Sequence, residues 1–423
     1  MGPALTLIWT ITAATTILQA ANGLLQTLLP LRMQADGLSI TAIGVVAAGY
    51  GAGFAAGCFM APAFVRQVGH IRAFASLAAV AAVVALAFTQ AHSIVDWVLL
   101  RILSGVALAG LFTVTDGWIS ARASSSHRGR VLSFYMICTK IALMLAPLGI
   151  GLGSIGEDGL FMAVSAMMCL SLLPVSATTT EEPPAPRSVR VEVGRLFAVA
   201  PSAVVGSFVV GLVNGPVVAI TPVYGVSIGL NPDMAAALIF ALQGGSLLLQ
   251  WPLGWLSDRW DRRYVIVGLA AGSGVVSLMI LWASAQAAPA LILLAFAGWG
   301  GLALCIYSVC VAHACDLVEP DRIVSTISSL LVAWAVGVTL GPLPGAAAME
   351  LMGPGGLFMY AACVSFALAA YITLRIVQQS RPARKGGFVV LAPTTPATAS
   401  LDPRAETLPP QGESTTAEQD ERP

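Results

Sequence analysis

Apolar residues run along this chain in long blocks separated by short polar stops. Twelve blocks lie near residues 6–30, 40–64, 72–91, 95–118, 131–153, 158–177, 197–224, 234–256, 264–285, 288–312, 323–347 and 355–377. Each is long enough for a membrane span, because about 20 helical residues cross the hydrocarbon of a bilayer. Several contain Gly and Pro, which membrane bundles tolerate better than soluble helices do. A polar stretch carrying Glu181-Glu182-Pro183-Pro184-Ala185-Pro186 divides the blocks six and six, as a linker does. The pattern predicts an all-α membrane protein of 12 transmembrane helices in two pseudo-symmetric six-helix bundles. Residues 1–177 form the first bundle, 178–196 a cytoplasmic linker and 197–377 the second. Residues 378–423, rich in Pro, Thr and Glu with few aromatics, read as a disordered cytoplasmic tail.

Composition agrees with this pattern. Of 423 residues, 57% are apolar and only 10% are charged, against roughly 25% charged in a soluble domain. Basic and acidic residues number 21 each, so the basic excess expected of a nucleic-acid binder is missing. The seven cysteines lie in or beside apolar blocks. Cys305, Cys310 and Cys315 are each turned about 140° from the last on a helix. The three therefore do not share one helix face, and despite His313 nearby they read as inert buried thiols rather than a metal site. No cofactor is implied. The first block lacks a basic leader and ends at Pro30-Leu31-Arg32 without a small-residue cleavage site. It reads as a retained helix rather than a signal peptide.

The basic residues set an orientation. Arg66, Arg72, Arg122, Arg128, Arg130, Arg187, Arg190, Arg195, Arg259, Arg262, Arg263, Arg322 and Arg375 fall in alternate loops, with five more basic residues in the tail. Arg32 stands alone in the opposite loops. By the excess of Lys and Arg on cytoplasmic loops, both termini and the linker are cytoplasmic. The loops also repeat. Arg66 and Asp258 stand 192 positions apart, as do Arg130 and Arg322, and Pro147 and Pro342 stand 195 apart. Two parallel six-helix halves account for that offset.

Several segments carry a family resemblance. Gly254-Trp-Leu-Ser-Asp258-Arg259-Trp-Asp261-Arg262-Arg263 resembles the major facilitator signature G-x-x-x-D-R-x-G-R-R, with Asp261 in place of the usual Gly. The first-half copy keeps Gly69 and Arg72 but has Arg66 at the acidic position. Arg101-Ile-Leu-Ser-Gly105 is similar to the family's R-x-x-x-G motif in span four. Gly341-Pro342 in span eleven is similar to its Gly-Pro motif, which the family carries in span five. Gly49-Tyr-Gly-Ala-Gly-Phe54 and Arg128-Gly-Arg-Val-Leu-Ser-Phe-Tyr135 resemble prokaryotic permeases of the YcaD type. The resemblance covers residues 1–377. It implies a secondary transporter of the plasma membrane, working as a monomer on a small molecule by alternating access. It also implies coupling to protons and leans toward export, with a uniporter, an uptake permease and a non-transporting receptor as alternatives.

Ionisable groups inside a membrane are costly and mark function by default. Two basic residues fall within spans, Arg101 and Lys140. Lys140 lies near the midplane of span five and suits an anionic substrate group or a proton-exchanging pair. Arg101 shares a helix face with Gly105, Phe112 and Asp116; the resemblance ties it to coupling, while Asp96 offers a structural partner. Asn22, Gln26, Asn214, Tyr224, Gln243, Gln250, Tyr307 and Trp334 are polar or aromatic groups suited to a substrate cavity or to interhelical hydrogen bonds. Spans one, four, seven and ten line the cavity in the family. Asp116 suits a gate near the basic side with Arg122, Arg128 or Arg130, and Asp316 is its second-half counterpart. Asp258 with Arg259, Arg262 and Arg263 suits a latch that opens and closes with the transport cycle. Gly49, Gly53 and Gly57 repeat at every fourth position, as in closely packed membrane helices. No phosphate-binding loop, nucleophile elbow or H-E-x-x-H occurs, so nucleotide hydrolysis, and enzymatic chemistry more broadly, has no motif here.

Overall fold

A computed structural model of the protein describes residues 3–122, 128–176 and 191–378. The linker's central residues and the tail lie outside that set. So do the side chains of Arg122, Arg128 and Arg130, and with them the gate expected between these residues and Asp116.

Among the described residues the chain is helical throughout. The first helix, α1 (Pro3–Ala35), is 33 residues long. Eleven further spans are long and apolar enough to cross a membrane. In order they are α2 (Ile40–Val68), α3 (His70–Gln90), α4 (Ile94–Arg122), α5 (Arg128–Leu145, prolonged as a 3₁₀ helix over Ala146–Leu152), α6 (Gly159–Ser176) and α7 (Pro201–Ser227). They continue with α8 (Pro232–Arg259), α9 (Arg262–Ala285), α10 (Pro289–Cys315), α11 (Ile323–Met352) and α12 (Gly356–Gln378). A short helix, Val193–Val199, leads into α7.

The repeat seen in the loops recurs in the local chemistry of the helix ends. Gly37 and Gly229, 192 positions apart, both turn the chain with positive φ, 81° and 89°. Two residues later, Ser39 caps α2 by accepting from the Ala42 amide at 3.1 Å. Asn231 caps α8 in the same way through Met234, at 2.8 Å. Each side-chain oxygen satisfies one of the amides that a helix start leaves unbonded. Gly69 and Asp261 follow suit before α3 and α9, by different means. Gly69 takes φ 85°. Asp261 has φ −61° and accepts from the Arg263 amide at 3.0 Å. Asp at the position where the family signature has Gly is thus a side-chain cap in place of a flexible backbone.

Packing follows the same two-fold plan. In the first half α2 packs on α4 and α1 on α5; in the second half α8 packs on α10 and α7 on α11. Glycines set these joints. A Cβ at Gly53 would strike the Ile102 carbonyl of α4, and one at Gly245 would strike the Ala297 carbonyl of α10. Backbones approach closely there because no side chain intervenes. Besides a step at Ser171 of α6, three spans break within their length: α5 at Ala146-Pro147, α10 at Leu304-Cys305 and α11 at Gly341-Pro342. Proline removes an amide and crowds the preceding turn, which ends two of these segments.

The halves meet face to face on the side remote from the basic loops. The Thr41 amide donates to Glu350 Oε2 at 2.6 Å, and Gln34 donates to Ser227 Oγ at 3.3 Å. Gly44 lies against Pro342 and Ala346, and Gly151 lies against Asp233. The non-basic ends of α1, α2, α5, α7, α8 and α11 are therefore drawn together.

Candidate functional site

A cavity of about 290 Å³ lies between the halves. Its walls come from α1, α2, α4 and α5 on one side and α7, α8, α10 and α11 on the other. Spans two, five, eight and eleven thus join the four expected from the resemblance. Pro147, Leu304 and Pro342, at the three helix breaks, line it as well. Irregular backbone at membrane depth persists where it faces a cavity rather than lipid.

Helical spacing builds the first wall. Asn22 and Gln26 are one turn apart on α1 and both face the cavity, as residues i and i+4 on a helix do. Gln26 Oε1 accepts from Arg101 Nη2 at 2.9 Å. The Arg101 guanidinium lies 4.3 Å above the Tyr50 ring of α2, within the range of a cation–π contact. Arg101 is only 4% exposed, and its Nη1 is buried without a hydrogen-bond partner. Of the helix face expected to point inward, Arg101, Phe112 and Asp116 line the cavity, while Gly105 packs on Tyr50 and Phe54.

On α5, Lys140 Nζ donates to Gln250 Oε1 of α8 at 3.0 Å, across the boundary between halves. Tyr135, five residues earlier, donates its hydroxyl to Asp116 Oδ1 at 2.9 Å. Asp116 lies at the cavity wall, 1% exposed, rather than at the interface with water. Among the described lining residues it is the one carboxylate, beside two cations, Arg101 and Lys140.

The second half supplies neutral groups. Asn214 of α7, Gln243 and Gln250 of α8, Tyr307 of α10 and Trp334 of α11 all line the cavity. The Oδ1 atoms of Asn22 and Asn214 are both buried without partners. Tyr224 stands apart from them. Three residues from the end of α7, it shares a 2.7 Å hydrogen bond with the Ser284 hydroxyl and packs against Phe296 and Phe358. Its phenol holds α7 to the core of the second half.

The charges of the basic loop take different first partners within the second half. Arg262, 3% exposed, donates through Nε to Asp316 Oδ2 at 2.6 Å and through Nη1 to Ser257 at 3.0 Å. Asp258, expected at the centre of a latch, meets Arg262 at 3.5 Å with its side chain 41% exposed. Arg259 stacks over Trp255 at 3.7 Å, and Arg263 pairs with Asp261 at 2.7 Å. The buried ion pair of this loop is Arg262–Asp316, joining α9 to α10. Partial burial raises the Asp261 carboxyl, but hydrogen bonds from the Arg263 side chain and amide outweigh it and hold it below the ordinary carboxylate range.

Cys305 donates weakly to the Ser246 carbonyl, and Cys310 lies against Gly206. Two lining tyrosines, Tyr50 and Tyr135, escaped the reading of the sequence. The signal at Tyr135 was a phenol five residues from Lys140 in its own span, whereas Tyr50 meets Arg101 only across helices and left no such signal.

Similar proteins share this architecture. The nucleoside transporter NupG superposes with a TM-score of 0.75 at 13% identity, over 87% of this chain and 98% of that one. A bacterial homologue of the human lysosomal transporter Spinster gives 0.69 at 17% identity, over 90% and 99%. In sequence, the uncharacterized MFS-type transporter YcaD of Shigella flexneri and that of Escherichia coli K12 are each 25% identical over 352 residues, 83% of this chain and 91% of theirs. The family model described as Major Facilitator Superfamily matches residues 11–245 and again 203–404. With a match extending over both halves of the repeat, the chain belongs to the Major Facilitator Superfamily and is a multi-pass membrane transporter.

Proposed function

We propose that this protein moves a small solute across a bacterial inner membrane by alternating access, with the linker and both termini in the cytoplasm. The observation that carries the reading is the position of the cavity: it lies between two repeated halves that touch mainly on the side remote from the basic loops. That contact is the seal of an inward-facing state, and the basic side is where the solute leaves or enters. Rocking of the halves exchanges one seal for the other, a rigid-body transition of the kind that packed helices support. Lys140 bonds across the boundary to Gln250 at mid-depth, so it senses both the solute and the relation of the halves. Asp116 with its Tyr135 hydrogen bond is the group in this cavity suited to carry a proton.

The test is solute flux in proteoliposomes of purified protein, under an imposed proton gradient of either direction, with Lys140→Met as control. Solute-specific flux that Lys140→Met abolishes supports the reading, and its dependence on the gradient reports coupling and direction. Flux unaffected by Lys140→Met contradicts it.

A further inference from the structure

The charges around the cavity do not balance. Arg101 and Lys140 bring two positive charges, and Asp116 is the one carboxylate among the described lining residues. Arg101 and Asp116 belong to the same helix, 15 residues apart, which is about 22 Å along its axis. Asp116 is therefore too distant to neutralise Arg101. The partners that Arg101 does have, the Gln26 carbonyl and the Tyr50 face, are uncharged. Lys140 likewise donates to a neutral amide oxygen. No ion pair joins either cation to a carboxylate among the described residues. A buried cation without a counter-charge is costly. It is therefore informative that Arg101 keeps one nitrogen, Nη1, buried and without a partner in the cavity wall.

We infer that the transported solute is a small organic anion. A carboxylate or phosphoryl group pairs with the Arg101 guanidinium in the cavity wall, and Lys140 supplies the second positive charge. This rests on the transporter reading of the same cavity and adds the chemical class of its cargo. The neutral groups state the remainder. Asn22 and Asn214, equivalent under the 192-residue repeat, each leave an amide oxygen unpaired in the cavity wall, one from each half. Amides in the wall on both sides suit a solute that carries hydroxyl or amino groups beside its anionic group. Trp334 and Tyr307, with ring centroids 6.1 Å apart, form an apolar surface in the second half. The two cations lie in the first half and this aromatic pair in the second, so the solute is held charge-first against α4 and α5. A cationic drug would meet Arg101 and Lys140 with like charge in a low-dielectric site, which disfavours it strongly.

The experiment measures thermal stability of the full-length protein in detergent with four probes: inorganic phosphate, acetate, gluconate and glucose, each titrated to tens of millimolar. We expect phosphate or the carboxylates to raise the melting temperature in a saturable way and glucose to leave it unchanged. In Arg101→Gln, the half-maximal concentration rises by roughly tenfold or more. Arg101→Lys, which keeps the charge and loses the fork, recovers part of the effect. A second measurement covers the case where Arg101→Gln fails to fold: wild-type flux of a neutral solute against an anionic one in proteoliposomes. Protection by glucose alone, protection by oxyanions that survives Arg101→Gln, or no protection by any oxyanion overturns the anion assignment. Flux of a neutral solute that Lys140→Met stops would overturn that assignment and leave the transporter reading intact. Absence of flux for every solute, with oxyanion protection retained, would overturn the transporter reading and leave the anion site.

Discussion

Lys140 of the first half donates to Gln250 of the second at 3.0 Å, so this lysine ties the two halves together across the cavity. A hydrogen bond to a charged group contributes about 1.5–3 kcal/mol. Gln250→Ala is therefore expected to weaken solute binding or the populated state by roughly tenfold, seen as a raised KM in proteoliposome flux. Lys140→Met is expected to abolish flux. Equal and mild effects of the two would assign Lys140 to the tie alone.

Arg101 makes a different case. A structural arginine stabilises, so its removal lowers the melting temperature. A cation held in readiness for a solute, with a nitrogen unbonded, costs stability in the empty protein. Arg101→Gln, which keeps a polar donor but is shorter and uncharged, is expected to melt at the wild-type temperature or above it while losing flux. A fall of many degrees, with flux retained in what remains folded, would make Arg101 a structural residue.

The Arg262–Asp316 pair behaves in the opposite way. Both side chains are nearly inaccessible, at 3% and 2% exposure. Arg262→Ala takes from the buried Asp316 its cation, a change that costs about 3–5 kcal/mol. Arg263→Ala, at a partly exposed pair, costs about 1 kcal/mol or less. Thermal melts of the two variants in detergent read the difference directly.

Asp261 caps α9 and pairs with Arg263. Ala there removes a cap, for about 1 kcal/mol, whereas Gly costs only a few tenths; Asp261→Ala should melt lower than Asp261→Gly. The Asp261 carboxyl is held below the ordinary range, so its contribution is present above the unfolded value near 4. It disappears as pH falls through the lower folded value. The stability gap between wild type and Asp261→Asn therefore closes on acidification.

The spans, their order and the repeat were legible because a bilayer imposes length and apolarity on every crossing. Deviations came where local chemistry chose between equivalent solutions, as at Asp261. Side-chain partners were legible only in part. Charge inside a span is rare, so Arg101 and Lys140 stood out at once. Tyr50 and Tyr135 did not, because a phenol is common enough in membrane helices to pass as packing. Tyr224 misled for a geometric reason. It follows Asn214 by ten residues, which turns it only about 80° in direction but carries it about 15 Å along the helix. Beyond Pro222, that places it at the seal end beside Ser284 rather than in the cavity. In the basic loop the signature identifies the residues, while burial decides that Arg262 takes Asp316 more closely than Asp258.

Alternating access is tested most directly at the seal, where the Thr41 amide meets Glu350. Spin labels at Thr41→Cys and Glu350→Cys, in protein with its seven native cysteines replaced, report the distance between α2 and α11 by pulsed electron paramagnetic resonance in lipid nanodiscs. Two populations are expected, one short and one longer, with their ratio shifted by pH or by phosphate. A single short distance, unchanged by either, would contradict the rocking of the two halves about the cavity.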